Sequence, residues 1–187
     1  MSAIDITKTL LNTPILKTDG TVDLRFNMNV TNNGNVNLNN LQIEDDLTVF
    51  NPINSVAIIN TSANISPNSA YNGISNINTL LGLDDFAPNE TGSFDLLINV
   101  GPFDPTPENI GNAALVKAFD PAGNLIQDND EVPTTLPKQL PAIDVIKSLK
   151  GQPIVNADGT YSLIYNIKVN NIGNACLLYT SPSPRDS

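Results

Sequence analysis

The stretch Thr18-Asp-Gly-Thr-Val-Asp-Leu-Arg-Phe-Asn-Met-Asn-Val-Thr-Asn-Asn-Gly-Asn35 decides the fold class. It opens on an Asp19-Gly20 turn and then alternates strictly. Val22, Leu24, Phe26, Met28 and Val30 share one face; Asp23, Arg25, Asn27 and Asn29 share the other. A period of two is a half-buried β-strand, because successive side chains point to opposite faces of a sheet. The stretch closes on Asn32-Asn33-Gly34-Asn35, residues that tolerate the backbone angles of a tight turn.

The same pattern returns as Ala157-Asp-Gly-Thr-Tyr-Ser-Leu-Ile-Tyr-Asn-Ile-Lys-Val-Asn-Asn-Ile-Gly-Asn174. Asp19-Gly-Thr21 matches Asp158-Gly-Thr160, and Ala3-Ile-Asp-Ile-Thr-Lys8 matches Ala142-Ile-Asp-Val-Ile-Lys147, always 139 positions apart (residue 19 to residue 158). Every inward position stays apolar or aromatic. Self-similarity at one fixed offset signals an array of like units. The offset is far longer than a solenoid unit, so each copy is expected to be a bead of its own. The organisation read from this is one full repeat over residues 1–141, the front fragment of a second over 142–175, and a tail over 176–187. The fragment lacks most of its sheet and is expected to pack poorly.

Between the copies, short strands are predicted at residues 4–8, 21–31, 36–44, 55–60, 93–100 and 109–119. The 55–60 strand is apolar on both faces and is expected to be central. Residues 60–78, rich in Asn and Ser, read as a long loop; residues 80–83 read as a buried plug, and 88–92 and 120–124 as turns. The prolines in 101–107 end a strand, since proline cannot donate to a ladder, and residues 134–141, with two prolines, lead into the next repeat. Nothing carries helical periodicity beyond a turn. Seven or eight short strands punctuated by Gly, Pro and Asn predict an all-β chain, an immunoglobulin-like antiparallel β-sandwich repeat followed by a truncated second repeat. Aliphatic, Phe and Tyr side chains must hold the two sheets together, for there is no Trp and a single Cys, Cys176.

Composition narrows the function. Nine Lys and Arg stand against nineteen Asp and Glu over 187 residues, a net charge of −10. That balance disfavours nucleic acid and anionic membrane surfaces, which need a basic footprint. With no His, the usual general base and the commonest metal ligand are missing. No apolar run approaches a membrane span, and Met1-Ser-Ala-Ile-Asp-Ile6 lacks the basic and apolar regions of a signal peptide. Any export signal and any anchor are therefore expected outside this sequence.

Residues that could carry chemistry are few. Asp45-Asp46, Asp84-Asp85 and Asp128-Asn-Asp130-Glu131 are paired carboxylates, but no spacing sets a pair across a cleft as a glycosidase needs. No catalytic or cofactor-binding residue is assigned. Asp120, Asn124, Asp128, Asp130 and Glu131 form an acidic loop. Of these, Asp120, Asp128, Asp130 and Glu131 are the candidates for Ca²⁺, which takes hard oxygen ligands; the spacing is not that of an EF-hand. Asn29, Asn60, Asn64 and Asn89 fit the glycosylation triplet, a pattern that arises by chance in so Asn-rich a chain.

The run Val30-Thr-Asn-Asn-Gly-Asn-Val-Asn-Leu-Asn-Asn-Leu-Gln-Ile-Glu-Asp-Asp-Leu47 resembles the conserved repeat domain, a family of unknown function in long bacterial surface proteins. Tyr71-Asn-Gly73, Leu80-Leu81, Leu83-Asp-Asp-Phe-Ala-Pro-Asn-Glu-Thr-Gly92, Asn112-Ala-Ala114 and Asp120-Pro-Ala-Gly123 extend the resemblance through the first copy. It implies immunoglobulin-like beads in tandem, in secreted or cell-surface proteins, with no known catalysis. One departure is Asn at many places where relatives carry Thr. The expectation is a non-enzymatic spacer of an adhesin-like bacterial protein, outside the cell or on its surface, its partners the neighbouring repeats. The alternative is a module binding glycan or protein through residues 60–78 and the acidic loop, with calcium as its one candidate cofactor. Residues 176–187 break the pattern; Cys176-Leu-Leu-Tyr-Thr-Ser-Pro-Ser-Pro-Arg-Asp186 resembles the in-frame translation of a transposon-type sequencing adapter. That resemblance implies a tail, Cys176 included, that is not native, and a natural chain that continues.

Overall fold

A computed structural model describes residues 1–103, 109–138, 140–174 and 177. The tail readings, Cys176 among them, fall outside these apart from Leu177, as do residues 104–108 of the proline segment. The chain divides into two compact units, Met1–Lys138 and Gln139–Ser187.

The first unit is an antiparallel sandwich of two four-stranded sheets. One sheet has the order β1 (Asp5–Leu10), β2 (Val22–Thr31), β6 (Thr91–Val100), β4 (Ile53–Ile59); the other has β5 (Asp84–Phe86), β3 (Leu38–Asp45), β7 (Asn109–Phe119), β8 (Leu125–Thr135). Strands one, two, six and four facing three, seven and eight is the immunoglobulin constant-type arrangement, with β5 added beside β3. The alternating stretch forms β2, paired along its length with β6 from Val22↔Val100 to Thr31↔Thr91. Val22, Leu24, Phe26, Met28 and Val30 are wholly buried, as are Phe94, Leu96, Ile98 and Val100 from β6 and Leu41, Ile43, Ala114, Val116 and Ala118 from the facing sheet.

Three local expectations are corrected. The 55–60 strand is an edge, since among the described residues β4 pairs with β6 alone. Ile53, Val56 and Ile58 lean on the core, while Ile59 is exposed. Of the 80–83 plug, only Leu80 is buried. Leu81 and Leu83 are 54% and 72% exposed, where the chain turns at Gly82 with φ +73°. The acidic loop is largely a strand: Asp128, Asp130 and Glu131 belong to β8. Its polar alternation hid a strand whose inward phase, Ile126, Asp128, Asp130, Val132 and Thr134, is half polar.

The second unit holds β9 (Ile143–Leu149), β10 (Ile154–Val155), β11 (Tyr161–Ser162) and β12 (Tyr165–Asn171). Its pairing reproduces the first unit's at the same offset. Asp5↔Thr31 through Leu10↔Phe26 in β1–β2 becomes Asp144↔Asn170 through Leu149↔Tyr165 in β9–β12. The turns agree as well. Thr21 N–H donates to Asp19 Oδ1 at 3.0 Å, and Thr160 N–H to Asp158 Oδ1 at 3.0 Å. Gly34 N–H reaches Ala3 O at 3.2 Å and Gly173 N–H reaches Ala142 O at 3.2 Å. Glycine is needed here because a Cβ on Gly34 would lie 2.8 Å from the backbone at Ala3 and Met1.

Candidate functional site

Three strands of the first unit each carry one polar residue in their inward phase. The phase of Ile4, just before β1, and Ile6 continues into Lys8; in β3, Leu41 and Ile43 continue into Asp45; in β7, Ile110 is followed by Asn112 and then Ala114. The sandwich brings the three together. Lys8 and Asn112 are 3% and 2% exposed and Asp45 is fully buried. Lys8 Nζ donates to Asp45 Oδ1 at 2.9 Å and Oδ2 at 2.8 Å, and also to Asn112 Oδ1. Asn112 Nδ2 donates to Asp45 Oδ1 at 3.0 Å and to the Asp46 carbonyl at 2.8 Å. One carboxylate therefore touches both the lysine amine and the asparagine amide nitrogen.

The surroundings are apolar on one side and hydrogen-bonding on the other. Lys8 Nζ lies 4.9 Å from the centre of the Phe26 ring, which is tilted against Phe50 at 6.0 Å. The buried Tyr71 hydroxyl donates to the Asp45 carbonyl at 3.2 Å, and its burial pushes the phenol well above its ordinary range. Burial pushes the Lys8 ammonium below the ordinary lysine range, outweighing the pull of the Asp45 carboxylate. Burial likewise pushes the Asp45 carboxyl up, outweighing Lys8 and Asn112. Both shifts favour the uncharged forms, a free amine beside a protonated acid. Held as ions, the pair costs desolvation that its mutual attraction must offset.

The calcium candidates are spent elsewhere. Asp120 Oδ1 accepts from the Ala122 and Asn124 N–H groups at 2.9 Å each, an Asx turn that closes the β7–β8 hairpin. Asp128 Oδ2 accepts from Ile6 N–H at 3.1 Å and Asp130 Oδ2 from Lys8 N–H at 2.8 Å. The two carboxylates thus satisfy the free edge of β1 and tie the sheets together along β1 and β8, as inward-pointing charges on edge strands do. Glu131 points outward. Among the described residues no group of three or more acidic, Cys or His side chains is placed to hold a metal ion.

The paired carboxylates do not work as pairs either. Asp46 caps Thr48 N–H at 2.9 Å, Asp84 accepts from Ser66 N–H at 2.9 Å, and Asp85 accepts from Asn40 N–H at 3.1 Å. Of the glycosylation triplets, Asn60 donates to Asp95 at 2.7 Å and Asn64 to Glu90 at 2.8 Å. Asn60 and Asn89 take the left-handed conformation, φ 52° and 64°. Much of the asparagine is thus turn chemistry: Asn72 Oδ1 alone accepts from the N–H groups of Ile74, Ser75 and Asn76. A groove between β4 and the 71–75 stretch is lined by Ile53, Val56, Asn72 and Ile74. Tyr71 also borders it but is only 7% exposed and offers no ring platform to a sugar.

The Lys8, Asp45 and Asn112 cluster was missed by reading for paired carboxylates. Its signal is present in the alternation, as polar residues where the phase demands apolar ones.

No family model and no curated protein matches this chain. Among solved structures it is similar to BcpA, the major pilin subunit of Bacillus cereus, at 12% identity and a TM-score of 0.47, over 92% of this chain and 56% of the pilin. It is also similar to a FixG-related protein from Vibrio parahaemolyticus at 11% identity and a TM-score of 0.37, over 73% of this chain and 98% of that one. The chain spans just over half the length of the pilin subunit. The fold assignment rests on the strand order and register given above.

Proposed function

We propose that this chain is a non-enzymatic spacer segment of a large bacterial secreted or cell-surface protein, built from immunoglobulin-like beads in tandem. The observation that carries the reading is the residue-for-residue recurrence of the β1–β2 pairing in β9–β12 at one offset. A spacer needs repeated, self-sufficient beads, and the first unit buries a continuous apolar core of its own. The sequence resemblance to bacterial surface repeats and the acidic, Asn-covered exterior agree with it. Its partners are the neighbouring repeats of the same chain.

Antibodies against the purified chain should label intact cells of the source organism. Labelling only after the cells are opened would overturn the surface placement. A glycan or protein ligand bound saturably by the 187-residue chain would replace the spacer reading with the binding-module one. The groove beside β4 and residues 60–78 would be the place to look.

A further inference from the structure

We propose that Lys8 and Asn112 become joined by an intramolecular amide bond between Nζ and Cγ, formed by the protein itself with Asp45 as the proton carrier. The juxtaposition is built from three separate strands, β1, β7 and β3, and is closed to water. The nucleophile, the electrophile and the acid-base group are in mutual contact. Lys8 Nζ touches the side-chain amide oxygen of Asn112, one bond from the carbon it would attack. Asp45 Oδ1 is hydrogen-bonded to Nζ at 2.9 Å and to Nδ2 of Asn112 at 3.0 Å, the atom that would leave.

The step balances without any co-reactant. The neutral Lys8 amine attacks Cγ of Asn112, and the Nζ–Cγ bond forms. The Asp45 acid delivers its proton to Nδ2, and the carboxylate so formed takes the excess proton from Nζ. The Cγ–Nδ2 bond then breaks, and ammonia departs with the electron pair. One amine and one primary amide become one secondary amide and ammonia, and Asp45 ends as it began. The apolar pocket around the Phe26 ring supports the neutral amine, since burial disfavours the charged form. Holding the groups in contact within the fold converts a slow bimolecular exchange into an intramolecular one. The product also removes one buried ionisable group, the Lys8 amine, and replaces it with a neutral linkage. Its position fastens the first strand to the seventh and encloses residues 9–111 in a closed loop, a use independent of which surface the protein sits on.

The second unit supplies an internal control. Lys147 occupies the place of Lys8, 4.0 Å from the Tyr165 ring, as Lys8 sits over Phe26. It is exposed to solvent and should stay a free amine.

The test is intact-mass spectrometry of the purified full chain under denaturing conditions. The expected mass is that of the sequence less one ammonia. Trypsin should then fail to cut after Lys8, and tandem spectra should show residues 1–17 joined to residues 26–117, while cleavage after Lys147 proceeds. Asn112→Ala and Lys8→Met should each keep the full mass of their own sequence, and Asp45→Asn should lose ammonia about a hundredfold or more slowly than wild type. An unaltered mass in the folded wild-type chain overturns the proposal. So does an ammonia loss that tandem spectra place at Asn33-Gly34 or Asn72-Gly73, where asparagine can cyclise on its own backbone. Linking of D45N at the wild-type rate overturns the role of Asp45. Because the wild-type mass decides the matter, a variant that fails to fold does not rescue it.

Discussion

The two front edges of the chain, β1–β2 and β9–β12, are near copies in sequence and share one register, yet they differ in burial. Ile6, Phe26 and Met28 are buried, whereas their counterparts Val145, Tyr165 and Ile167 are 57%, 46% and 61% exposed. Pairing is therefore a property of the stretch itself, set by the alternation and by the turns at Asp19-Gly20 and Asp158-Gly159. Burial is conferred by the opposing sheet. In the first unit β3, β7 and β8 lie over that face; among the described residues of the second unit no such layer exists. The same contrast separates Lys8 from Lys147. Both lie over an aromatic ring, but only Lys8 meets an aspartate and an asparagine, because those come from strands of the opposing sheet.

The contrast can be broken most sharply at the lysine site. Closing a loop of about 100 residues removes roughly 4–5 kcal/mol of denatured-state entropy. Asn112→Ala should therefore lower the melting temperature of the first unit by on the order of 10 °C or more, in a calorimetric scan. Lys147→Ala should leave that transition where it is. Next in size is the core aromatic. Phe26→Ala should cost about 3–5 kcal/mol in urea unfolding, whereas Tyr165→Ala, at an exposed position, should change stability by about 0.5 kcal/mol or less. Equal losses at the two sites would mean that the second front edge is buried after all.

A smaller effect belongs to Asp95. Burial opposes its charge, but hydrogen bonds from Asn27, Arg25 and Asn60 outweigh it and hold the carboxyl below the usual range. A carboxyl lowered by folding adds stability above its unfolded pKa of about 3.9 and loses it as the pH falls through the folded value. Asp95→Asn should thus destabilise by about 1 kcal/mol at neutral pH, a figure reduced by the partial exposure of Arg25. The difference from wild type should shrink as the pH falls below the unfolded value, as read from urea midpoints at pH 7 and pH 3. A gap that persists in acid would assign the loss to shape and not to charge. Smallest of all, millimolar Ca²⁺ should leave the first transition unmoved, since Asp128 and Asp130 already serve the β1 backbone. A rise of several degrees would restore the calcium reading of Asp120, Asp128, Asp130 and Glu131.

Much of the fold was legible because its signals are local. The period of two gave β2, β6 and β7 almost to the residue, and Asp-Gly and Asn-Gly marked the turns. β8 was read as a loop because its inward phase mixes Ile126 and Val132 with Asp128 and Asp130, whose partners are backbone groups on a strand about 120 residues away. β4 read as central because its run is apolar on both faces; hydropathy does not say on how many sides a strand is paired.

The sequence by itself determined the alternation, the turns, the recurrence 139 positions on and the all-β class, since each depends on neighbours along the chain. Only the tertiary structure decided what three misplaced polar residues mean. Lys8, Asp45 and Asn112 are 37 and 67 residues apart along the chain. No local rule relates them, and contact between them exists only because two sheets close over one another and shut out water. Chemistry that needs three groups within hydrogen-bond reach in a dry pocket is a property of that closure.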